Sequence, residues 1–349
     1  MRVVVVGASG NVGTSLVQAL AAEPEVTSLV GLARRLPGWR PDGIEWARAD
    51  ITSDDLAAHM RGADVVVHLA WLFQPTHDPV RTWEVNVLGG IRVFRAAVEA
   101  GVRALVYASS VGAYSPGPKD KAVDESWPTH GWPTAGYTRE KAYLERVLDT
   151  LEAEHPRLRV VRMRPGFIFK REAATEQRRL FIGPLLPNPL VRPELIPVVP
   201  DLPGLRFQAL HAQDAAEAFR QGVLRDVRGA FNLAADPVVD ADALARLLGA
   251  RTVRLPTRAV RTALATAWQL RLLPASPQLF DAVVRLPIMS SDRARAELGW
   301  HPRHSAVDAL DEFLSGLRDG AGMDTPPLAP QTSGPLRAHE MTTGVGARP

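Results

Sequence analysis

Apolar positions in this chain come in short unbroken runs separated by helical periods. Val3-Val4-Val5-Val6 is a continuous β-branched run, the pattern of a strand buried on both faces. Leu16, Val17 and Leu20 then share one face of a helix. Residues 26–32 read as a second strand, and residues 44–49 as a third that ends at Asp50-Ile51. Ser53-Asp54-Asp55 caps a helix running through Met60. Residues 64–70 form a fourth, strongly apolar strand. Trp83, Val87, Ile91, Phe94 and Val98 set a helical period over residues 80–100. Residues 103–109 are a fifth strand, followed by a Pro/Gly-rich loop at 115–136. A helix then begins near Tyr137, with Leu144, Val147, Leu148 and Leu151 on one face, and residues 159–163 form a sixth strand. Strands alternating with helices predict a parallel sheet covered on both faces.

Beyond Arg164-Pro165-Gly166 the elements shorten. Prolines crowd residues 183–203 and exclude a regular helix there. Helices are predicted over 212–224 and 240–248, a strand near 230–233, and two helices within 256–285 divided at Leu273-Pro274. The expected architecture is α/β: a doubly wound parallel sheet over residues 1–165, to which later segments return. A smaller α/β lobe follows over 166–318, and residues 319–349 form a disordered tail rich in Gly, Pro, Thr and Ser.

Composition narrows the classes of function. At 46% hydrophobic and 23% charged, the chain has the balance of an ordinary globular protein. A net charge of +3 with no long basic run gives no case for nucleic acid. The absence of cysteine excludes disulfides, thiolate catalysis and Cys-ligated zinc, and no spacing suggests any other metal site. The chain begins on a strand, so no signal peptide is expected, and no apolar run has the length of a membrane span. A cytoplasmic enzyme is the resulting expectation.

Two stretches carry chemistry. Gly7, Gly10 and Gly13 lie between the first strand and its helix. In that setting the first glycine allows a tight turn, the second lets a pyrophosphate approach the backbone, and the third lets helix and strand pack closely. The helix N-terminus then faces the phosphates. Downstream, Tyr137 and Lys141 stand one helical turn apart. An ammonium beside a phenol favours the phenolate, which would let Tyr137 exchange protons near neutral pH. Ser109-Ser110 end a parallel strand, the edge at which such sheets bind ligands.

The ordered set Gly7-x-x-Gly10-x-x-Gly13, Asp50-Ile51, His68-Leu69-Ala70, Asn86-Val87-x-Gly89, residues 107–114, Tyr137-x-x-x-Lys141 and Arg164-Pro165-Gly166 resembles the extended short-chain dehydrogenase/reductases, the NAD-dependent epimerase/dehydratase family. His211-x-x-Asp214 and residues 292–300 are similar to the family's later signatures, so the likeness spans residues 1–317. It implies a Rossmann-type fold and an NAD(P)-dependent oxidoreductase moving hydride between the cofactor and a carbonyl or secondary alcohol. Tyr137 would be the acid/base, Lys141 would lower its pKa and hold the nicotinamide ribose, and Ser110 would orient the substrate oxygen. Asn86 resembles the family's proton-relay asparagine, or is a helix residue bonded to backbone. Cofactor contacts are implied for Gly7, Ser9, Gly10, Asn11, Val12, Gly13, Arg34, Arg35, Asp50, Ile51, Leu69, Ala70, Ser109, Tyr137, Lys141 and Pro165. Asp50 is equally readable as a turn residue.

Departures from the family pattern refine this. Val111-Gly112 stands where dehydratases resemble one another in having Asp-Glu, which argues against dehydration. Ala33 stands where NAD-preferring members have Asp, and Arg34-Arg35 follow, so NADP(H) is expected, with Arg34 on the 2′-phosphate and Arg35 stacking on adenine. Lys170, Arg171, Arg178 and Arg179 either bind a substrate diphosphate or form a solvated charged face. Trp71-Leu72-Phe73 either line an apolar substrate pocket or belong to the core. His211 reads as a helix-start residue, and residues 258–271 as an amphipathic segment packed on the main lobe rather than a membrane. A homodimer is expected through the helices at 80–100 and 137–154, with Trp83, Leu144 and Leu148 as apolar surface. A sugar-nucleotide epimerase with tightly bound cofactor and a non-catalytic dinucleotide sensor are the alternative functions.

Overall fold

The computed structural model describes residues 1–183 and 196–331. Its first half is built of β1 (Arg2–Val6), α1 (Asn11–Ala21), β2 (Ser28–Ala33), β3 (Glu45–Arg48), α2 (Leu56–Met60), β4 (Val65–His68), α3 (Pro79–Trp83), α4 (Gly89–Glu99), β5 (Ala104–Ala108), β6 (Ala122–Val123), α5 (Gly136–Glu154) and β7 (Arg159–Pro165). The second half holds β8 (Phe167–Phe169), α6 (Ala174–Gln177), β9 (Val198–Asp201), β10 (Ala209–His211), α7 (Ala212–Leu224), β11 (Gly229–Leu233), α8 (Ala241–Leu248), β12 (Arg251–Arg254), α9 (Thr257–Gln269), α10 (Pro277–Val283), β13 (Ile288–Met289), α11 (Asp292–Leu298) and α12 (Ala306–Asp319).

Seven strands make one parallel sheet in the order β11-β7-β5-β4-β1-β2-β3. The Val3–Val6 run sits mid-sheet and is no more than 2% exposed, because β2 and β4 flank it and helices cover both faces. One face packs Leu16, Val17 and Leu20 of α1 with Phe219 of α7 and Phe231 of β11. The other packs Phe94 and Ala97 of α4 with Leu144 and Leu148 of α5. The strand order reverses between β1 and β4, and the crevice at the strand ends there is where ligands of such sheets bind.

One segment returns to the sheet as expected: β11, Gly229–Leu233, pairs with β7 at its edge. The fold revises other expectations. The helix expected over 80–100 contains a π-turn, Glu84–Leu88, between α3 and α4. Leu144 and Leu148 are fully buried in the core, so they are not interface surface; Val80, Leu88 and Tyr143 are the exposed apolar side chains of those helices. Residues 319–331 are not structureless: Leu328 is fully buried, and Trp39 N donates to Asp324 O at 2.8 Å. The rest of the expected tail, and most of the proline-rich stretch after Gly183, lie outside the described residues. Among the described residues no helix is long and apolar enough to cross a membrane.

Candidate active site

The turn after β1 is shaped by close backbone approach. Gly7 has φ +87°, and a Cβ there would stand 2.6 Å from Ala70 N. A Cβ on Gly13 would meet Gly7 O at 2.4 Å. At Gly10 the same test finds only an ordinary 3.5 Å contact, so the protein's own packing does not require that glycine. The space above Gly10 is open for a ligand. Gly10 also begins α1, which has no side-chain cap and no acid in its first turn. Its N–H groups are left for an anion.

A cavity of about 700 Å³ runs from this turn to the end of β5 and on toward α9 and α10. Gly7, Ser9, Gly10, Asn11, Val12 and Gly13 line one end, joined by Arg34, Arg35, Asp50 and Ile51. Leu69, Ala70, Ser109, Ser110, Tyr137, Lys141 and Pro165 line its middle. All the expected cofactor residues therefore border one space. Asp50 is both lining and turn: its carboxylate accepts from Thr52 N at 2.9 Å and Thr52 Oγ1 at 2.7 Å. Arg34 is exposed, whereas Arg35 is half-buried and its Nη1 is a buried donor without a partner. Burial and the nearby Arg34 and Arg179 cations all lower the pKa of Arg35. A positive cluster with an unused donor at the adenosine end fits a phosphate, and the glycine turn with its uncapped helix fits a pyrophosphate. The residues present thus suit a nicotinamide dinucleotide.

The catalytic candidates converge from β5 and α5. The Ser110 hydroxyl lies beside the Tyr137 phenol and favours its charged form, and Ser110 Oγ accepts from Gly112 N at 2.9 Å. A Cβ on Gly112 would stand 2.7 Å from Tyr137 Cε1, which leaves no room for an acidic side chain at that position. The expected Lys141 effect on Tyr137 is absent. Lys141 Nζ is 6.0 Å from the Tyr137 ring centre; it donates to Ala108 O at 2.6 Å and lies 3.5 Å above the Trp71 ring. Burial, with a smaller contribution from Glu140, raises the Tyr137 pKa to about 12 despite the Ser110 hydroxyl. Burial lowers Lys141 to about 7. Tyr137 is thus protonated at neutral pH in this state.

Asn86 is bonded to backbone, the second of its two expected readings. Its Oδ1 accepts from Leu72 N at 2.7 Å, and its Nδ2 donates to Leu72 O at 2.9 Å and Glu140 Oε2 at 2.7 Å. The π-turn places this buried amide between the β4 exit segment and α5, and every polar group of the amide is engaged. Glu140 also accepts from Thr82 Oγ1 at 2.7 Å, and burial raises its pKa. Asn86 holds the Leu72 backbone in place.

Beneath the site lies a charge network that the sequence did not reveal. Glu145, fully buried, accepts from Arg164 Nε at 2.9 Å and Nη2 at 3.0 Å, from Arg162 Nη1 at 3.1 Å and from Ser109 Oγ at 2.5 Å. Burial alone would raise its pKa; the arginines and Ser109 hold it at about 2. Arg164 reaches on to Tyr114 Oη at 2.9 Å. The signal was available: Glu145 is one turn beyond Lys141 on the buried face of α5, and Arg162 and Arg164 interrupt a buried strand.

The basic residues of 170–179 are bonded within the protein, three of them buried and Arg171 partly exposed. Lys170 Nζ donates to Asn11 O at 2.7 Å and Thr14 Oγ1 at 2.6 Å. Arg171 pairs with Asp319 at 2.6 Å, Arg178 donates to Gly183 O at 2.8 Å, and Arg179 donates to Pro327 O at 2.7 Å. Trp71, Leu72 and Phe73 do line the cavity: Phe73 stacks on Tyr137 at 5.1 Å, and Trp71 meets it edge-on at 5.6 Å. His211 caps α7, its ring accepting from Gln213 N at 3.2 Å. Trp268 of α9 stacks on His77 at 4.0 Å and donates to Thr76 Oγ1 at 2.9 Å, tying that helix to the main lobe.

Comparison with known proteins agrees with this geometry. The profile of the family described as "NAD dependent epimerase/dehydratase family" matches residues 3–233. An uncharacterized protein of Mycobacterium tuberculosis is 25% identical over 324 residues, covering 90% of this chain and 83% of that protein. The decarboxylating sterol-4-alpha-carboxylate 3-dehydrogenase of Candida albicans is 33% identical over 180 residues, 48% of this chain and 50% of that one. The crystal structure of Thermus thermophilus UDP-glucose 4-epimerase in complex with NAD superposes with a TM-score of 0.68 at 22% identity, over 91% of this chain and 99% of that one.

Proposed function

We propose, for a chain that belongs to the NAD dependent epimerase/dehydratase family, an NADP(H)-linked oxidoreductase acting between a carbonyl and a secondary alcohol. Members and relatives of the family are nicotinamide-dependent enzymes, which accounts for the glycine cradle. The observation that carries the finer reading is the placing of Ser110 and Tyr137 in one cavity with the Arg34–Arg35 pair. A bound nicotinamide dinucleotide would supply the hydride or accept it. The protein supplies the rest. Gly7, Gly10, Gly13 and the α1 N-terminus hold the pyrophosphate, and Arg34 and Arg35 hold the 2′-phosphate. Ser110 Oγ orients the substrate oxygen. Tyr137 Oη delivers a proton to that oxygen in reduction and receives it in oxidation. Lys141, on the same cavity wall, holds the nicotinamide ribose.

The chain is proposed to work as a homodimer in the cytoplasm, with Val80, Leu88 and Tyr143 as the apolar surface of the pairing helices. The test is a titration of purified protein with NADPH and NADH, followed by a carbonyl panel. Tighter NADPH binding and net NADPH consumption that requires Tyr137 uphold the reading. Stoichiometric cofactor retained through purification, with interconversion of sugar epimers, would replace it by an epimerase. Tight cofactor binding with no turnover would replace it by a dinucleotide sensor.

A further inference from the structure

The cavity continues past Tyr137, away from the glycine turn, and its chemistry changes there. Phe73 and Phe181 form one wall, their rings 5.5 Å apart. Leu279, Phe280 and Val283 of α10 form the facing wall, and Leu264 of α9 closes it. The charged side chains on the described lining are Arg34, Arg35, Asp50, Lys141 and Glu176. The first three belong to the adenosine end, and Lys141 lies behind Tyr137 against Ala108 and Trp71. The apolar walls carry no cation among the described residues.

The polar groups around these walls are hydrogen-bonded within the protein. Buried Gln74 donates to Leu180 O at 2.6 Å and Pro274 O at 3.0 Å, stitching the β4 exit segment to the chain around it. Thr76 Oγ1 donates to the same Pro274 O at 2.8 Å. Ser276 is occupied as the α10 cap, accepting from Leu279 N at 3.2 Å. Gln177 Nε2 donates to Ile168 O at 2.6 Å. Lys170, Arg171, Arg178 and Arg179 are all bonded within the protein. A nucleotide sugar brought here would lose the hydration of its phosphates with no cation among the described residues of these walls to replace it, which is strongly unfavourable. An apolar molecule would gain from the same walls.

Resting on the oxidoreductase reading, we infer that the substrate is an uncharged, largely apolar alcohol or ketone. Its oxygen is held by Ser110 and Tyr137, and its hydrocarbon body lies between the Phe73–Phe181 wall and α10. Apart from its reacting oxygen it offers nothing that needs a charged partner.

The experiment uses the full chain saturated with NADPH. Three ketones are compared by NADPH consumption: trans-2-decalone, dihydroxyacetone and a UDP-4-keto sugar. Binding of UDP and of neutral N-phenyl-1-naphthylamine is measured separately. The expected result is a kcat/KM for decalone at least tenfold above the other two, naphthylamine binding that decalone displaces, and no UDP binding at millimolar concentration. Leu279→Asn and Leu264→Gln, both at partly exposed positions that leave the core intact, should each cut decalone kcat/KM about tenfold with the NADPH Kd unchanged. UDP or the UDP-sugar outcompeting decalone, or either variant acting like wild type on it, would overturn the inference. Naphthylamine bound and displaced by decalone, without turnover of any ketone, upholds the apolar site and instead refutes the oxidoreductase reading.

Discussion

Replacing Arg35 by alanine separates a ligand-binding cation from a structural one. Arg35 is half-buried, it makes no hydrogen bond through its buried Nη1, and its nearest charged neighbours include two more cations, Arg34 and Arg179. A charge-assisted hydrogen bond to a phosphate from a partly desolvated guanidinium is worth about 1.5–3 kcal/mol. Arg35→Ala should therefore weaken NADPH about ten- to a hundredfold and leave NADH nearly unchanged. Arg34 is exposed, so screening reduces its share to about 0.2–1 kcal/mol, and Arg34→Ala should cost at most about fivefold. Isothermal titration at two salt concentrations reads both effects, with the Arg34 contribution shrinking faster as salt rises. The apo protein supplies a control. Removing one of three clustered cations relieves repulsion, so the melting temperature of Arg35→Ala should hold or rise. A fall in melting temperature with an unchanged NADPH-to-NADH ratio would refute the phosphate assignment and make Arg35 a packing residue.

Three further outcomes are expected. Tyr137→Phe should lower kcat about a hundredfold or more while NADPH binding stays within twofold, as measured by steady-state rates and titration. Glu145 is held near pKa 2 when folded against about 4.5 unfolded, so it contributes stability above pH 4.5 that is lost as pH falls toward 2. That amounts to about 3 kcal/mol, and Glu145→Gln should flatten this acid limb in chemical denaturation while lowering stability at pH 7, where the arginines lose their partner. Gly13→Ala places a methyl 2.4 Å from Gly7 O, and it should abolish cofactor binding in the same titration.

The strand–turn–helix opening, the alternation up to β7 and the Ser110–Tyr137–Lys141 set were legible because each rests on local periodicity or fixed spacing. What escaped the sequence depends on long-range placement. Lys170, Arg178 and Arg179 resemble a solvated charged run until the fold buries them against Asn11, Gly183 and Pro327. Lys141 is one turn from Tyr137, yet its amine turns toward Ala108, and burial governs the tyrosine more than that neighbour does. The π-turn at Asn86 shifts the helix register by a residue in a way that apolar periodicity cannot signal. Short strands such as β8 and β10, which pair only with each other, leave too brief a pattern to register.

The late arrival of β11 bears on how this molecule comes to be folded. Until Gly229–Leu233 is available, the β7 edge is an unpaired row of backbone groups, and until α7 is available one face of α1 is uncovered. The nucleotide-binding sheet is therefore incomplete within the first 165 residues. During synthesis its first six strands must wait for sequence-distant partners, a high-contact-order assembly that is slow and leaves an edge open to wrong pairing. A chain stopped after Pro165 should collect as a sticky intermediate, and one continued through Leu233 should be the first able to bury both Phe219 and Phe231.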